Sequence, residues 1–224
     1  MKRKLVLIVL FILPLSAYIF FSMAEHNSLF LPVITKNVSE LPEGNTLDGK
    51  PVFLKGKITI LGFLGEDITK KKETVFNINE KINGKYKGFT DFQIVMVLPD
   101  GEQQEVQKVI ADLKVMADIS NWRFLFVKPE AIVPFYASLK AKENLEADNG
   151  TYQLFIVDKD RSLRGRNGKD KKTGKDEFKD SYNSFIISEL HNEMTDDIKI
   201  VLREYRLALK KNNTPGGKGV KREI

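Results

Sequence analysis

The chain has 224 residues, 42% of them hydrophobic and 29% charged, with a formal net charge of +6. It contains no cysteine, which excludes disulfides, thiol redox chemistry, cysteine nucleophiles, iron–sulfur clusters and thiolate metal sites. With a terminal segment of about 30 residues set aside, the remainder is the size of one domain that can bury a core without staples.

Lys2, Arg3 and Lys4 precede an uncharged apolar run from Leu5 to Ala24. A helix of about 20 residues spans the hydrocarbon core of a bilayer, so residues 1–24 are expected to form a membrane anchor. Basic residues stay on the cytoplasmic side, which would put the rest of the chain outside the cytoplasm. Ser22-Met23-Ala24 is a passable cleavage site for a signal peptide, but the apolar run is longer than a usual signal core and favours an uncleaved anchor. Residues 25–43 read as an extended linker, with Pro32 and Pro42 opposing helix.

Thr46 to Lys50 is a turn around Asp48-Gly49, and Pro51 to Leu54 suits a short edge strand. Lys57 to Leu64 is apolar and β-rich, as a buried central strand requires. Thr69 to Asn83 has Val75, Ile78 and Ile82 at helical spacing, with Asn83-Gly84 as its stop. Phe92 to Leu98 is a second buried strand. Glu105 to Ser120 is a helix with Val106, Val109, Ile110, Leu113, Met116 and Ala117 on one face. Arg123 to Val127 is a third strand. Pro129 opens a short helix packed through Ile132, Phe135, Tyr136 and Leu139. Gln153 to Val157 is a fourth main strand, Asp158 to Arg161 a turn, and Ser162 to Arg166 a returning hairpin strand.

Nine Lys or Arg stand against four Asp or Glu between Lys159 and Lys179. The polar stretch from Asn167 to Asp180 reads as a long loop or insertion. Thr195 suits the cap of a last helix, with Asp196 and Asp197 in its first turn and Ile198, Val201, Leu202, Tyr205 and Leu209 as its buried stripe. Asn212 to Ile224 carries Pro215-Gly216-Gly217 and reads as a disordered basic tail. Strands alternating with helices, closed by a hairpin and a final helix, give an α/β three-layer sandwich of the thioredoxin type.

Three stretches resemble the SCO (SenC) family of membrane-anchored, thioredoxin-fold proteins of cytochrome oxidase assembly: TLDGKPVFLKGKITILGF, NWRFL from Asn121, and YQLFIVDKDRSLRGR from Tyr152. The resemblance covers roughly residues 44–210, with an extra stretch around 167–190. It implies a folded domain over residues 44–211 and a bacterial cytoplasmic-membrane location with that domain outside the cytoplasm. That family holds copper and exchanges disulfides through a Cys-x-x-x-Cys pair and a distant His. The corresponding positions here fall on Leu64 to Ile68, including Gly65, Glu66 and Asp67, and on Asn149. All three ligands are missing. Copper(I) prefers sulfur, and carboxylates match it poorly.

Other candidates are weak. Glu66 and Asp67 suit the start of a helix, where acids are favoured, and otherwise a hard-ion site or a partner-binding edge. His191 with Glu193 has no third ligand at matching spacing, and His26 has only Glu25 beside it. Trp122 and the Phe-rich strands are core rather than a ligand pocket. No Ser-His-Asp set or phosphate loop is present, and an external domain would not meet nucleic acid. The expectation is therefore a non-catalytic binding or assembly factor for a respiratory membrane complex. It would have no cofactor or metal, and would contact lipid through its N-terminal helix and a membrane-protein partner. The alternatives are a metal carrier using non-sulfur ligands and a cysteine-free enzyme of unnamed chemistry.

Overall fold

The computed structural model describes residues 10, 12–16, 30–169, 174 and 176–213. Most of the expected anchor and most of the expected tail lie outside these residues. Among the described residues, no helix is long and apolar enough to cross a membrane.

The strands are β1 (Val33–Thr35), β2 (Gly44–Thr46), β3 (Ile58–Leu64), β4 (Phe92–Pro99), β5 (Trp122–Val127), β6 (Gly150–Val157), β7 (Leu163–Arg164), β8 (Arg166–Lys169), β9 (Asp176–Lys179) and β10 (Tyr182–Asn183). The central sheet runs β1-β7-β6-β3-β4-β5-β2, with β10 also paired to β6. β3, β4 and β5 are parallel, whereas β6 runs antiparallel to β3 and β7 antiparallel to β6. A parallel βαβ unit followed by an antiparallel hairpin on the other side of its first strand is the thioredoxin arrangement.

Alternation along the strands builds two cores. Ile58, Ile60, Ile94, Met96, Phe124 and Ile156 face one layer of helices. Leu61, Phe63, Val95, Val97, Leu125 and Phe155 face the other. The first layer holds the helical run after β3, α3 (Gln103–Met116) and α5 (Thr195–Asn213), and the second holds α4 (Pro129–Leu139). Gly62 sits where a Cβ would come within 2.8 Å of the Met96 sulfur, so a larger residue there requires the Met96 side chain to shift.

Several expectations need correction. Pro51 to Leu54 is not a strand. Its polar groups find side chains instead: Glu40 accepts from the Leu54 and Lys55 amides, and Gln93 donates to the Phe53 carbonyl. The edge strand is β2, which the sequence reading missed. The helical run does not stop at Asn83. A 3-10 turn (Ile68–Lys71), α1 (Lys72–Ile78), a π turn (Asn79–Asn83) and α2 (Gly84–Tyr86) follow without a break. Asn83 stays in a right-handed conformation because its amide donates to the Asp118 carbonyl and to Asn79. Met116 ends α3 and is exposed. The stretch after Arg166 is an antiparallel β8–β9 hairpin over its described residues rather than a loop.

Thr195 is not a cap. A π turn (Glu189–Met194) runs directly into α5, and the Thr195 hydroxyl donates to the Leu190 carbonyl. Asp197 is buried, where it accepts two bonds from Arg166 and one from the Tyr182 hydroxyl. α5 continues through Asn213, so the first residues of the expected tail are helical.

The expected linker, where described, is part of the fold. Leu31 and Val38 are buried and β1 pairs with β7. One buried guanidinium explains this. Arg164 donates two bonds to the Leu31 carbonyl, one to Asp158 and one to Glu204, and Glu204 in turn accepts from the Leu31 amide at 2.8 Å. Removing one member of such a cluster leaves buried charge unpaired, at about 3–5 kcal/mol. Arg164→Met is expected to lose stability of that order in urea unfolding. It should also open residues 30–38 to limited proteolysis before the rest of the domain.

Candidate functional site

The positions singled out in the sequence gather where β3 and β6 meet. β3 ends at Leu64, and Gly65 turns the chain with φ +74°. A Cβ at Gly65 would lie 2.6 Å from the Asp148 carboxylate, so glycine is required there for both conformation and space. The Glu66 amide donates to the Asp148 carbonyl. Opposite, residues 146–150 form a tight loop: the Glu146 amide donates to the Gly150 carbonyl, and Asn149 takes φ +61°. Gly65, Glu66 and Asn149 are thus brought together by the backbone.

At the centre of this junction is a residue the sequence reading passed over. Lys71, 1% exposed, reaches inward from the first helical turn. Its ammonium donates to Glu146 at 2.8 Å and to Asp148 at 3.2 Å, and sits 5.1 Å from the centre of the Tyr152 ring. A Cβ on Gly150 would come within 2.8 Å of the same nitrogen. Burial pulls the Lys71 pKa down, but the bonds to Glu146 and Asp148 outweigh it, and the net shift is upward. The ammonium form is thus the one these carboxylates stabilise.

Glu66 is exposed. Asp67 caps the 3-10 turn, accepting from the Thr69 amide at 3.0 Å and from its hydroxyl, and the hydroxyl bond holds the carboxyl below its usual value. Glu102, at the start of α3, is pushed up by burial and then by the charges of Asp67, Glu105 and Glu66. This end of the sheet is therefore acidic. His191 is exposed on the π turn before α5, and Glu193 is engaged by Lys179 and Arg166. Among the described residues no group of three His, Cys, Asp or Glu could hold a metal ion. His26 lies outside them.

Beside the junction is an apolar surface. Tyr152 packs edge-on against Phe185 with ring centres 6.0 Å apart, and Phe185, Ile186 and Ile187 are exposed. Trp122, by contrast, is a core residue stacked on Phe124.

Copper does not fit this cluster. It offers no sulfur, and the two nearest carboxylates already hold an ammonium.

No family model and no curated protein matches the chain. Among solved structures, BsSco, a member of the Sco family of cytochrome c oxidase assembly proteins, is 20% identical, with 72% of this chain and 95% of that chain covered and a TM-score of 0.44. Copper-bound ScoI from Bradyrhizobium japonicum is 17% identical over 75% of this chain and 99% of that one, at 0.43. A yeast mitochondrial 1-Cys peroxiredoxin is 15% identical over 82% and 80%, at 0.44. The chain is thus similar to SCO-family structures and about as similar to a peroxiredoxin. Its thioredoxin-like class rests on its own strand order.

Lys71→Met is expected to cost about 1–3 kcal/mol in urea unfolding, because it removes charged hydrogen bonds to Glu146 and Asp148, which are partly open to water. Adding Glu146→Gln and Asp148→Asn should recover much of the loss. Alanine at Glu66 and Asp67 should leave the fold intact with a loss of about 1 kcal/mol, since Glu66 faces water and Asp67 supplies a single helix cap.

Stability should also fall in alkali. The folded chain holds its protons on Lys71 more tightly than the unfolded chain, and burial pushes Tyr86 and Tyr136 up to about 12. A raised pKa contributes fully below the unfolded value and is lost as pH climbs through the folded one. The urea midpoint should therefore hold to about pH 9 and drop between about 10 and 12, with tyrosinate absorbance rising in step.

Proposed function

We propose that this chain is a non-redox, SCO-like binding or assembly factor, anchored in a bacterial cytoplasmic membrane with its thioredoxin-like domain outside the cytoplasm. The observation that carries the reading is the Lys71 ammonium seated between Glu146 and Asp148, beside the positions where the family's ligands would fall. A tethered cation there leaves no vacancy for a transferable one. The cluster becomes a rigid support for the surface around it. The docking edge is then the exposed Phe185-Ile186-Ile187 segment together with the turn after β3 that carries Glu66, Asp67 and Thr69. Exposed apolar side chains next to a polar rim suit protein contact. The resemblance to the SCO family supports a respiratory membrane complex as the partner.

Two measurements test this. Full-length protein in detergent should not compete with a chromophoric chelator for copper(I), and one tightly held equivalent would overturn the reading in favour of metal delivery. A photo-crosslinking residue at Phe185 should give a discrete adduct in cells that contains a respiratory-complex subunit. The same residue at Val133, exposed on α4, should not. Identical adducts from both positions would remove the docking edge.

A further inference from the structure

The end of the sheet opposite the Lys71 cluster has a different character. The parallel strands begin there, the turn at residues 158–161 closes there, and α2, α3 and α5 all run toward it. Exposed or half-buried cations gather at this pole: Lys55, Lys57, Lys87, Lys114, Arg161 and Arg206. The acids among them are fewer, and those that accept from neutral donors keep their charge. Asp91 pairs with Lys159, Asp118 accepts from the Ser120 amide, and Asp160 accepts from the Tyr205 hydroxyl. Apolar side chains stand out among the cations. Phe53 is 57% exposed, Val115 89% and Met116 67%. Phe53 lies in the stretch KPVFLKGK, whose Gly56 amide donates to the Lys159 carbonyl and so ties it to the 158–161 turn.

Cations interleaved with exposed apolar groups suit the interface of an anionic bilayer. There the apolar groups enter the headgroup region and the cations meet phosphate. At the other pole Asp67 pairs with Lys70 and Glu105 with Lys108, while Glu66 and Glu102 would be repelled by the same surface, so the two ends differ in charge and together orient the domain. The chain length permits the contact. Leu31 is level with Arg164, three strand residues or about 10 Å above the turn. Residues 25–30 reach about 20 Å when extended.

We infer that the pole formed by Phe53, Val115, Met116 and the surrounding cations docks on an anionic phospholipid surface, holding the Lys71 cluster and its docking edge away from the bilayer. This rests on the membrane-anchored reading above.

The absence of native cysteine makes the test direct. Full-length Phe53→Cys, and Gln104→Cys at the opposite pole, are labelled with a polarity-sensitive fluorophore and reconstituted in nanodiscs with or without phosphatidylglycerol. The expected result is a blue shift, with quenching by a lipid-borne nitroxide, at residue 53 only and in the anionic discs only. Reversing Lys55, Lys87 and Arg206 to Glu should weaken it by roughly fivefold per charge, and added salt should weaken it too. Equal signals at both positions, or in both lipids, would overturn the inference. Resistance of the unlabelled chain to alkaline carbonate extraction reports the anchor separately. If the chain is extracted, the same label read after adding the protein to anionic vesicles still decides the docking.

Discussion

The burial of Arg164 organises the outer half of this domain. A guanidinium that far from water needs partners for its donors, and four bonds supply them from three distant places: the Leu31 carbonyl, Asp158 in the turn after β6, and Glu204 on the last helix. Satisfying one side chain therefore fixes the path of the N-terminal segment, the geometry of the β6–β7 hairpin and the depth of α5. The strand β1 exists because Leu31 is held where it can begin, and the sheet gains an edge from a stretch whose prolines suggest only an extended chain.

A second buried cation shapes the functional end. Lys71 occupies the junction of β3 and β6, and two glycines let the backbone close around it. Both buried charges are paired with two carboxylates, but they do different work. Arg164 joins segments far apart in sequence, whereas Lys71 offsets the charge of two neighbouring carboxylates and ties the first helical turn to the loop before β6. A protonated amine held by carboxylates has no free electron pair, which is why the arrangement reads as support for a surface rather than as reactive chemistry. The neighbouring segment at Phe185 leaves its apolar side chains exposed beside this support.

The central strands were legible because each is a run of β-branched and aromatic residues long enough to be buried on both faces, and α4 because Pro129 and the spacing of Ile132, Phe135, Tyr136 and Leu139 agree. What escaped depended on partners remote in sequence. Thr195 looks like a cap until Leu190 supplies a carbonyl to its hydroxyl. Asn83-Gly84 looks like a stop until Asp118 accepts from the asparagine. Thr46 looks like the start of a turn until β5 lies beside residues 44–46. The site was half legible. Gly65, Glu66 and Asn149 do come together, but the lysine between Glu146 and Asp148 was overlooked although its signal was present. Ile68, Lys71, Val75, Ile78 and Ile82 recur at helical spacing, so a charged residue stands in the middle of an apolar stripe.

The clamp around Leu31 has a mechanical consequence. Any pull on the chain ahead of Phe30 reaches the domain through Leu31, and Leu31 is gripped at its amide by Glu204 and at its carbonyl by Arg164. The load therefore bypasses the short β1–β7 pairing, which would peel one bond at a time, and passes into the long C-terminal helix and the root of the β6 hairpin. Tension at the front of the chain is borne by its back, so the domain answers a tug as one body instead of unravelling from its first residue.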